Sequence, residues 1–307
     1  MKVLYLGNNR PYATERYVRH ALNELGHEVF LKVARGTSFL DVESAVAKYQ
    51  PDFLLFSKPS QPYYPRLLEW CQQRKLLTVC WQWDLFWGYR SQRPPQFCSD
   101  LLFTTDGGHQ AIWRKLYPCH RVLRQGIHKP DARLWPTRYK WDVGFVGTMH
   151  KVHKGRLQLV EALTDHYGDR FRLITDIRGL HLNKALASIR VIVGDSYPAD
   201  YYWSNRIYEI LGRGGFLLYP KTVGLEEEFI DGQHYVGFER GNFRELFKVV
   251  DRFVVDEEER EKIRKAGYGH VLSNYTYKHR VAVLLDEVVN HLHPVPPVQA
   301  RSPVLGG

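Results

Sequence analysis

A guanidinium, a carboxylate and two adjacent glycines share the segment SNRIYEILGRGG, residues 204–215. On a helix, Arg206 and Glu209 are three residues apart and lie on one face. Such a face can present a guanidinium to a diphosphate and a carboxylate to ribose hydroxyls. A salt bridge within the helix is the alternative interpretation of the same pair. The residues of this predicted nucleotide site are Ser204, Asn205, Arg206 and Glu209.

A glycine turn lies upstream, where a strand-like run ends at Gly147 and Thr148. A turn without Cβ atoms lets backbone N–H groups approach a phosphate at the start of a helix. Lys151, Lys154 and Arg156 follow and can neutralise its charge, although a plain strand-to-helix turn would have the same pattern. The chain contains neither GxGxxG nor a P-loop sequence, which argues against a dehydrogenase or a kinase.

Two aspartates of the first half are candidates for a general base, which must reach the hydroxyl that it deprotonates. Asp84 closes the strand-like run TVCWQWD, and Asp106 closes LLFTTD. Capping of the following helix is the alternative for each of them. We favour Asp84, because aromatic residues surround it, and we regard Glu15 and His109 as weaker candidates.

Aromatic and basic residues alternate in WQWDLFWGYRSQRPP, residues 81–95. Aromatic rings can stack on sugars or nucleobases, and arginines can contact phosphates. An enzyme that modifies a base within duplex DNA must flip that base into a pocket of this kind. Core aromatics beside a solvated loop are the alternative. The predicted acceptor-binding residues are Arg10, Trp83, Trp87, Arg90 and Arg93.

The net charge of +10 belongs entirely to the first half of the chain. Residues 1–140 contain 21 Lys and Arg against 11 Asp and Glu, whereas the remaining residues contain 22 of each. A one-sided basic field indicates an anionic partner, such as nucleic acid, a membrane surface or an acidic polymer. Charge that serves only solubility is the alternative.

Strand-like and helix-like runs alternate along the chain around these residues. A chain of 307 residues is long enough for two domains. Strands separated by single helices predict parallel sheets. The Pro-containing residues 129–139 read as a linker, after which the pattern restarts. We therefore predict an α/β protein with Rossmann-like, doubly wound domains at residues 1–135 and 136–276. A final helix, residues 277–293, is expected to pack back on the first domain, before a Pro-rich tail at residues 294–307.

The apolar runs of the chain have strand length, far below the roughly 20 residues of a membrane span. No apolar leader with a cleavage site follows the N-terminal methionine. Cys71, Cys80, Cys98 and Cys119 lack the spacing of metal ligands, so we expect reduced, mostly buried thiols and no metal. These features predict a cytoplasmic protein, located in the cytoplasm of the host if a phage encodes it.

The second half resembles a known family in the order of its motifs. The segment SNRIYEILGRGG is followed by GLEEEFIDG, residues 224–232, and by a helix pair that ends in NYTYKHR. This order resembles the C-terminal domain of CgeB-like glycosyltransferases over roughly residues 141–290. The first half is similar more loosely, through LGHEV and WQWD. The resemblance implies the GT-B fold, in which two Rossmann-like domains face each other across a cleft.

The resemblance also implies roles for individual residues. Glu209 would bind the ribose and Arg206 would face the diphosphate, while Asp176 would lie near the nucleobase. Three further residues would lie near the sugar or phosphate: Gly224, Leu225 and Glu226. Many retaining enzymes of this fold carry a Glu-x7-Glu pair, but Asp200 lies nine residues before Glu209. The stereochemistry of transfer stays open at this point.

We expect a metal-independent hexosyltransferase whose donor is a nucleotide-sugar, specifically a UDP-sugar, held by the second domain. The best candidate acceptor is a hydroxymethylated base in DNA, as for some phage enzymes of this fold, because the first half is basic and the chain is compact. Transfer to a cell-surface, spore-coat or lipid-linked glycan is the alternative that the resemblance supports equally. A non-catalytic module that binds nucleotides or nucleic acid is the third hypothesis.

Overall fold

The protein contains two parallel β-sheets, as seen in a computed structural model that describes residues 1–85, 97–149 and 154–293. The strands of the first sheet are β1 (Lys2–Gly7), β2 (Glu28–Val33), β3 (Phe53–Ser57), β4 (Leu77–Gln82), β5 (Leu101–Thr104) and β6 (His120–Val122). Their order in the sheet is β2-β1-β3-β4-β5-β6. The helices between them are α1 (Thr14–Glu24), α2 (Phe39–Tyr49), α3 (Tyr64–Gln73) and α4 (Gln110–Leu116).

The second sheet begins after the predicted linker. Its strands are β7 (Trp141–Val146), β8 (Phe171–Ile174), β9 (Ile189–Val193), β10 (Leu217–Pro220) and β11 (Val236–Phe238), in the order β11-β10-β9-β7-β8. The helices are α5 (Lys154–Tyr167), α6 (Gly179–Leu186), α7 (Arg206–Gly212), α8 (Phe243–Val255), α9 (Glu257–Asn274) and α10 (Tyr277–Leu292). We call the part around β1–β6 the first domain and the part around β7–β11 the second domain.

Helices cover both faces of each sheet, which explains why the central strands are apolar without alternation. In β1, Val3 and Tyr5 pack towards α1, whereas Leu4 and Leu6 pack towards α2 and α3. The register is fixed on both sides of this strand, because Val3 pairs with Val29 of β2 and with Phe53 of β3. The prediction of two doubly wound Rossmann-like domains is confirmed.

The last helix, α10, returns to the first domain. It packs against α1, and its buried residues join the core that α1 forms with β1. Its start is fixed by Thr276, whose hydroxyl accepts a hydrogen bond from the backbone N–H of His279. The buried residues of α10 are Tyr277, Val281, Leu284, Leu285 and Val288.

A buried ionic cluster joins the domains near the start of α10. Glu228 of the second domain accepts a hydrogen bond from Arg280 at 2.9 Å and another from the hydroxyl of Tyr208. Arg124, which follows β6, lies 3.8 Å from the same carboxylate and stacks over Trp203 at 3.6 Å from the ring centroid. We call Glu228, Arg280, Arg124 and Tyr208 the Glu228 cluster.

Two further findings concern membrane-spanning helices and the cysteines. Within residues 1–85, 97–149 and 154–293, no helix combines the length and apolar character that a membrane span requires. All four cysteines are free thiols, of which Cys71 and Cys80 are buried and Cys98 is exposed.

Candidate active site

The second sheet forms a crevice between the carboxyl ends of β7 and β9, which are neighbours although β8 lies between them in sequence. The helix after β7, α5, packs on one face of the sheet, and the helix after β9, α7, packs on the other. Ligands of open α/β sheets bind at such a switch point. The turn at Gly147 and the segment that begins at Asp195 therefore meet at this crevice.

Two arginines share one buried carboxylate at the crevice. The Nε of Arg156 donates to Oδ2 of Asp195 at 2.8 Å, and Arg206 donates to Oδ1 and to the backbone carbonyl of Asp195. The three side chains are at most 14% exposed. Burial lowers the pKa of Arg206 and Arg156 lowers it further, while Asp195 opposes both effects. The group, which we call the Asp195 triad, carries one positive charge in excess and can attract an anion.

A residue larger than glycine does not fit at position 147, because the guanidinium of Arg206 occupies the space that a side chain would need. A Cβ at Gly147 would lie 2.6 Å from Nη2 of Arg206. The next carbonyl, of Thr148, accepts a hydrogen bond from Nη1 of Arg156 at 2.7 Å. The structure thus brings together the predicted Gly147, Thr148, Arg156 and Arg206. Lys151 lies outside the described residues, as does the side chain of Lys154.

The residues directly before α7 face the same crevice. The backbone N–H of Ser204 donates to the hydroxyl of Tyr219 at 3.1 Å, and its Oγ donates to the carbonyl of Asp195 at 3.1 Å. Oδ1 of Asn205 is buried and has no hydrogen-bond partner among the described residues. A buried amide oxygen without a partner is costly and marks a place where a ligand can donate.

Glu209 and Arg206 do not form the salt bridge that their spacing allows. Glu209 instead accepts a hydrogen bond from Nε of Arg213 at 2.9 Å. Arg213 is almost completely buried and also binds Asp131 at 3.0 Å and Asn183 at 2.6 Å. The buried Arg213 therefore fixes the position of Glu209, and it binds one oxygen of the Glu209 carboxylate.

The other predicted donor residues lie further from the triad or in different surroundings. Asp176 is exposed beyond the carboxyl end of β8 and accepts a hydrogen bond from Thr175 at 2.8 Å. Gly224 and Leu225 are buried, and Leu225 belongs to the core of the second domain, whereas Glu226 is exposed. Their placement near sugar or phosphate stays a prediction.

Two functional candidates were not predicted from the sequence. Asp195, the centre of the triad, follows the strand-like VIVG as Asp84 follows its own strand, so the same pattern could have found it. Tyr202 follows Tyr201, whose carbonyl accepts hydrogen bonds from the first domain, from the N–H of Gly107 at 3.2 Å and from Arg124 at 2.8 Å. Burial raises the pKa of the Tyr202 hydroxyl, and the charges of Asp84 and Asp106 add to the increase while Arg206 opposes it. Tyr202 is therefore a candidate residue at the border of the two domains.

The two aspartates of the first domain differ sharply in their surroundings. Asp84 is 65% exposed, and its Oδ2 lies 2.6 Å from Nζ of Lys58. Asp106 is buried, and it binds the backbone and ring nitrogens of His109 at 3.2 and 3.1 Å and the indole N–H of Trp113 at 3.0 Å. These contacts favour a structural role for Asp106 at the start of α4.

A cavity of about 530 Å³ opens in the first domain at the carboxyl ends of β1, β2 and β3. Three exposed cations line it, Arg10, Arg35 and Lys58, and Glu15 is part of its wall. Of the two predicted acceptor residues that the structure describes, Arg10 lines the cavity, whereas Trp83 is buried, with Nζ of Lys58 5.9 Å from its ring centroid. Trp87, Arg90 and Arg93 lie outside the described residues.

Solved structures of other proteins share the two-sheet arrangement. HepE from Anabaena, in complex with UDP-glucose, has a TM-score of 0.66 at 12% identity and covers 93% of this chain and 99% of its own. A glycosyltransferase from Rickettsia africae has a TM-score of 0.67 at 10% identity, with 96% and 99% covered. The chain has the GT-B fold. The GT-B sucrose-phosphate synthase of Thermosynechococcus elongatus is also similar, with a TM-score of 0.61 at 12% identity and 95% and 98% covered.

The sequence comparison concerns the second domain of this GT-B chain. Residues 143–286 match the family profile described as glycosyl transferase-like. The matched residues begin in β7 and end within α10, so they include the Asp195 triad and Glu209. No curated protein matches the chain in sequence.

Proposed function

We propose that this protein is a glycosyltransferase that moves a sugar from a UDP-sugar to an acceptor hydroxyl. The Asp195 triad carries the proposal, because its surplus positive charge lies at the crevice of a GT-B second domain. A departing diphosphate accumulates negative charge, and fixed cations at that position stabilise the transition state. The match of residues 143–286 to the glycosyl transferase-like profile and the complex of HepE with UDP-glucose support the same donor class.

Two further features support diphosphate neutralisation by the protein's own cations. Arg240 lies on the wall of a cavity of about 440 Å³ that Arg156 and Asp195 also line. Arg240 is exposed, and its Nη1 donates to the carbonyl of Ser196 at 2.8 Å, which holds the guanidinium at the rim of this cavity. We propose that these guanidiniums act without a metal ion.

Arg206→Ala is expected to weaken UDP binding about 10- to 100-fold, because it removes a charge-assisted contact worth about 1.5–3 kcal/mol. Glu209→Ala is expected to weaken it about tenfold through the loss of the ribose contact. Calorimetric titration with UDP measures both effects. Arg252→Ala and Glu258→Ala are matched controls, since both residues lie on exposed faces of the second domain. Undiminished affinity in both Arg206→Ala and Glu209→Ala would contradict the donor site.

For the acceptor, we propose a hydroxymethylated base in DNA. The charge excess of residues 1–140 and the three cations around the cavity of the first domain support an anionic acceptor. A glycan is the alternative, and the second domain's resemblance to CgeB-like enzymes favours it equally.

The deciding experiment measures UDP release from a panel of UDP-sugars with hydroxymethylated DNA, unmodified DNA and a set of phosphorylated or lipid-linked glycans. We expect release and sugar incorporation only with hydroxymethylated DNA, and a rate that falls steeply with salt. Transfer to a glycan alone would replace DNA as the acceptor. Intact UDP binding without transfer to any acceptor would instead make the protein a nucleotide-binding module.

A further inference from the structure

Glu15, one of the two weaker candidates for the general base in the sequence, is a buried carboxylate of the first domain that lies outside the Asp195 triad. Glu15 lies in the first turn of α1, is 7% exposed and forms part of the cavity wall at the carboxyl ends of β1 and β3. Backbone amides at Asn8 and at Glu15 itself donate to the carboxylate. No Lys, Arg or His among the described residues lies within ion-pair distance of it. A buried carboxylate in this setting is costly unless a ligand uses it.

The turn after β1 is built around this side chain. A Cβ at Gly7 would lie 2.6 Å from Cγ of Glu15, so glycine leaves the space that the carboxylate stem occupies. Below it, the hydroxyl of Tyr5 and the hydroxyl of Ser57 are 2.8 Å apart and link β1 to β3. The side chain of Glu15 thus packs against the end of β1, beside the cavity.

The surroundings of Glu15 make it a stronger base than an exposed carboxylate. Burial raises the pKa of Glu15, the backbone amides and Lys58 lower it, and Asp84 raises it. The titratable groups that face it from the packed elements are Tyr5 of β1, Lys58 after β3, Tyr64 of α3 and Asp84 after β4. Arg10 and Arg35 line the same cavity. Asp84 is by contrast 65% exposed, and its Oδ2 lies 2.6 Å from Nζ of Lys58.

Asp84 also relates the cavity to the crevice of the second domain. Its charge raises the pKa of Glu15 on one side and that of Tyr202 on the other. Tyr202 in turn lies within electrostatic reach of Arg206. The two domains meet beside Tyr202, since the backbone N–H of Gly107, after β5, donates to the carbonyl of Tyr201 at 3.2 Å.

We propose that Glu15 is the general base of the reaction and that the acceptor hydroxyl enters the cavity beside it. This inference rests on the proposed glycosyl transfer. The O–H bond of the acceptor breaks and its proton passes to the carboxylate of Glu15. The acceptor oxygen forms a bond to the anomeric carbon, while the bond from that carbon to the β-phosphate oxygen breaks. The electron pair leaves with UDP, whose charge Arg206 and Arg156 neutralise, and the anomeric configuration is inverted.

Glu15→Gln tests the proposal, because it keeps the size of the side chain and removes its basicity. We expect kcat to fall about 10²- to 10⁴-fold, the usual contribution of a general base. KM for the UDP-sugar and the affinity for UDP should stay within about twofold of the wild-type values, since Glu15 lies in the first domain and the proposed donor site lies in the second. Glu24→Gln, at the other end of α1, is the matched control and should leave all three values unchanged.

Two further measurements distinguish a catalytic role of Glu15 from a purely structural one. The kcat/KM of the wild type should decline as the pH falls through a pKa above the ordinary value for Glu, and Glu15→Asp should keep such a limb while Glu15→Gln loses it. NMR of the first product should show the anomer opposite to that of the donor. If Glu15→Gln does not fold, the pH profile of Glu15→Asp and the anomer of the product decide whether Glu15 is the general base.

The outcomes distinguish this inference from the proposed function. A wild type that transfers no sugar to any acceptor would refute the transferase itself. A wild type that transfers sugar with retention, or a folded Glu15→Gln variant within tenfold of wild-type kcat, would refute only the role of Glu15. Loss of kcat with an inverted product supports it.

Discussion

Asp195→Asn is expected to lower the free energy of unfolding by about 3–5 kcal/mol, the usual result of removing one partner from a buried ion pair. The substitution leaves the guanidiniums of Arg156 and Arg206 next to each other without a counter-charge. Both side chains are at most 14% exposed, so water screens this repulsion poorly. Urea unfolding of the wild type and the variant measures the difference.

UDP should partly reverse this loss. A bound diphosphate supplies negative charge where the carboxylate was lost, so saturating UDP should raise the unfolding midpoint of Asp195→Asn more than that of the wild type. Asp142→Asn is the matched control, because Asp142 also binds two arginines, Arg170 and Arg190, but at the opposite end of β7. It should cost at most about 1 kcal/mol, as for more exposed pairs, and should not respond to UDP. Equal stabilities of wild type and Asp195→Asn would show that the arginines do not depend on Asp195.

Glu228→Gln is the second substitution with a large expected effect, again about 3–5 kcal/mol of unfolding free energy. The carboxylate is 12% exposed and accepts hydrogen bonds from Arg280 and Tyr208, with Arg124 nearby. A neutral amide would leave two arginines of different elements without their shared counter-charge. Because the cluster joins the domains, unfolding of the variant should also lose cooperativity.

Glu227→Gln provides the comparison, since Glu227 lies in the same turn but is exposed. Its stability should equal that of the wild type within about 0.5 kcal/mol, as for most surface substitutions. A Glu228→Gln variant as stable as Glu227→Gln would show that the cluster contributes nothing to stability.

Helix boundaries with strong local signals were predictable from the sequence. From the sequence we predict a helix at Glu257–Asn274 in addition to the final helix, and the structure has helices at Glu257–Asn274 and Tyr277–Leu292. The side chains of Asp256 and Thr276 cap their first turns. The sequence pattern also predicts a helix at residues 182–189, and both of its ends are wrong, since α6 covers Gly179–Leu186. Ile189 is β-branched and pairs with Trp141 in the second sheet, so sheet contacts take it out of the helix.

The candidate site was predictable only where its contacts are local. Gly147, Thr148 and Ser204 follow strands or precede a helix, and the crevice contains them as expected. The partner of Arg206 is Asp195, eleven residues away, because the connection between β9 and α7 folds back and brings Asp195 next to the start of α7. Spacing along a helix cannot reveal such a partner, which explains why the salt bridge with Glu209 was a reasonable alternative and is wrong.

A sequence motif also does not predict how basic a side chain is. Asp84 stands among aromatic residues in the sequence, yet it is exposed and paired with Lys58. Glu15 has unremarkable neighbours in the sequence, yet burial raises its pKa. Only the packing of the first domain distinguishes the two carboxylates.

The return of α10 to the first domain affects the order in which the chain can fold during synthesis. The face of α1 that contains Val18 and Leu22 belongs to the same core as Val281 and Leu284. The ribosome makes α10 only after both sheets, so this face remains uncovered while the second domain is being translated. The nascent first domain therefore presents an apolar surface for most of synthesis, and a chain that stops before Tyr277 would be a substrate for chaperones and proteases.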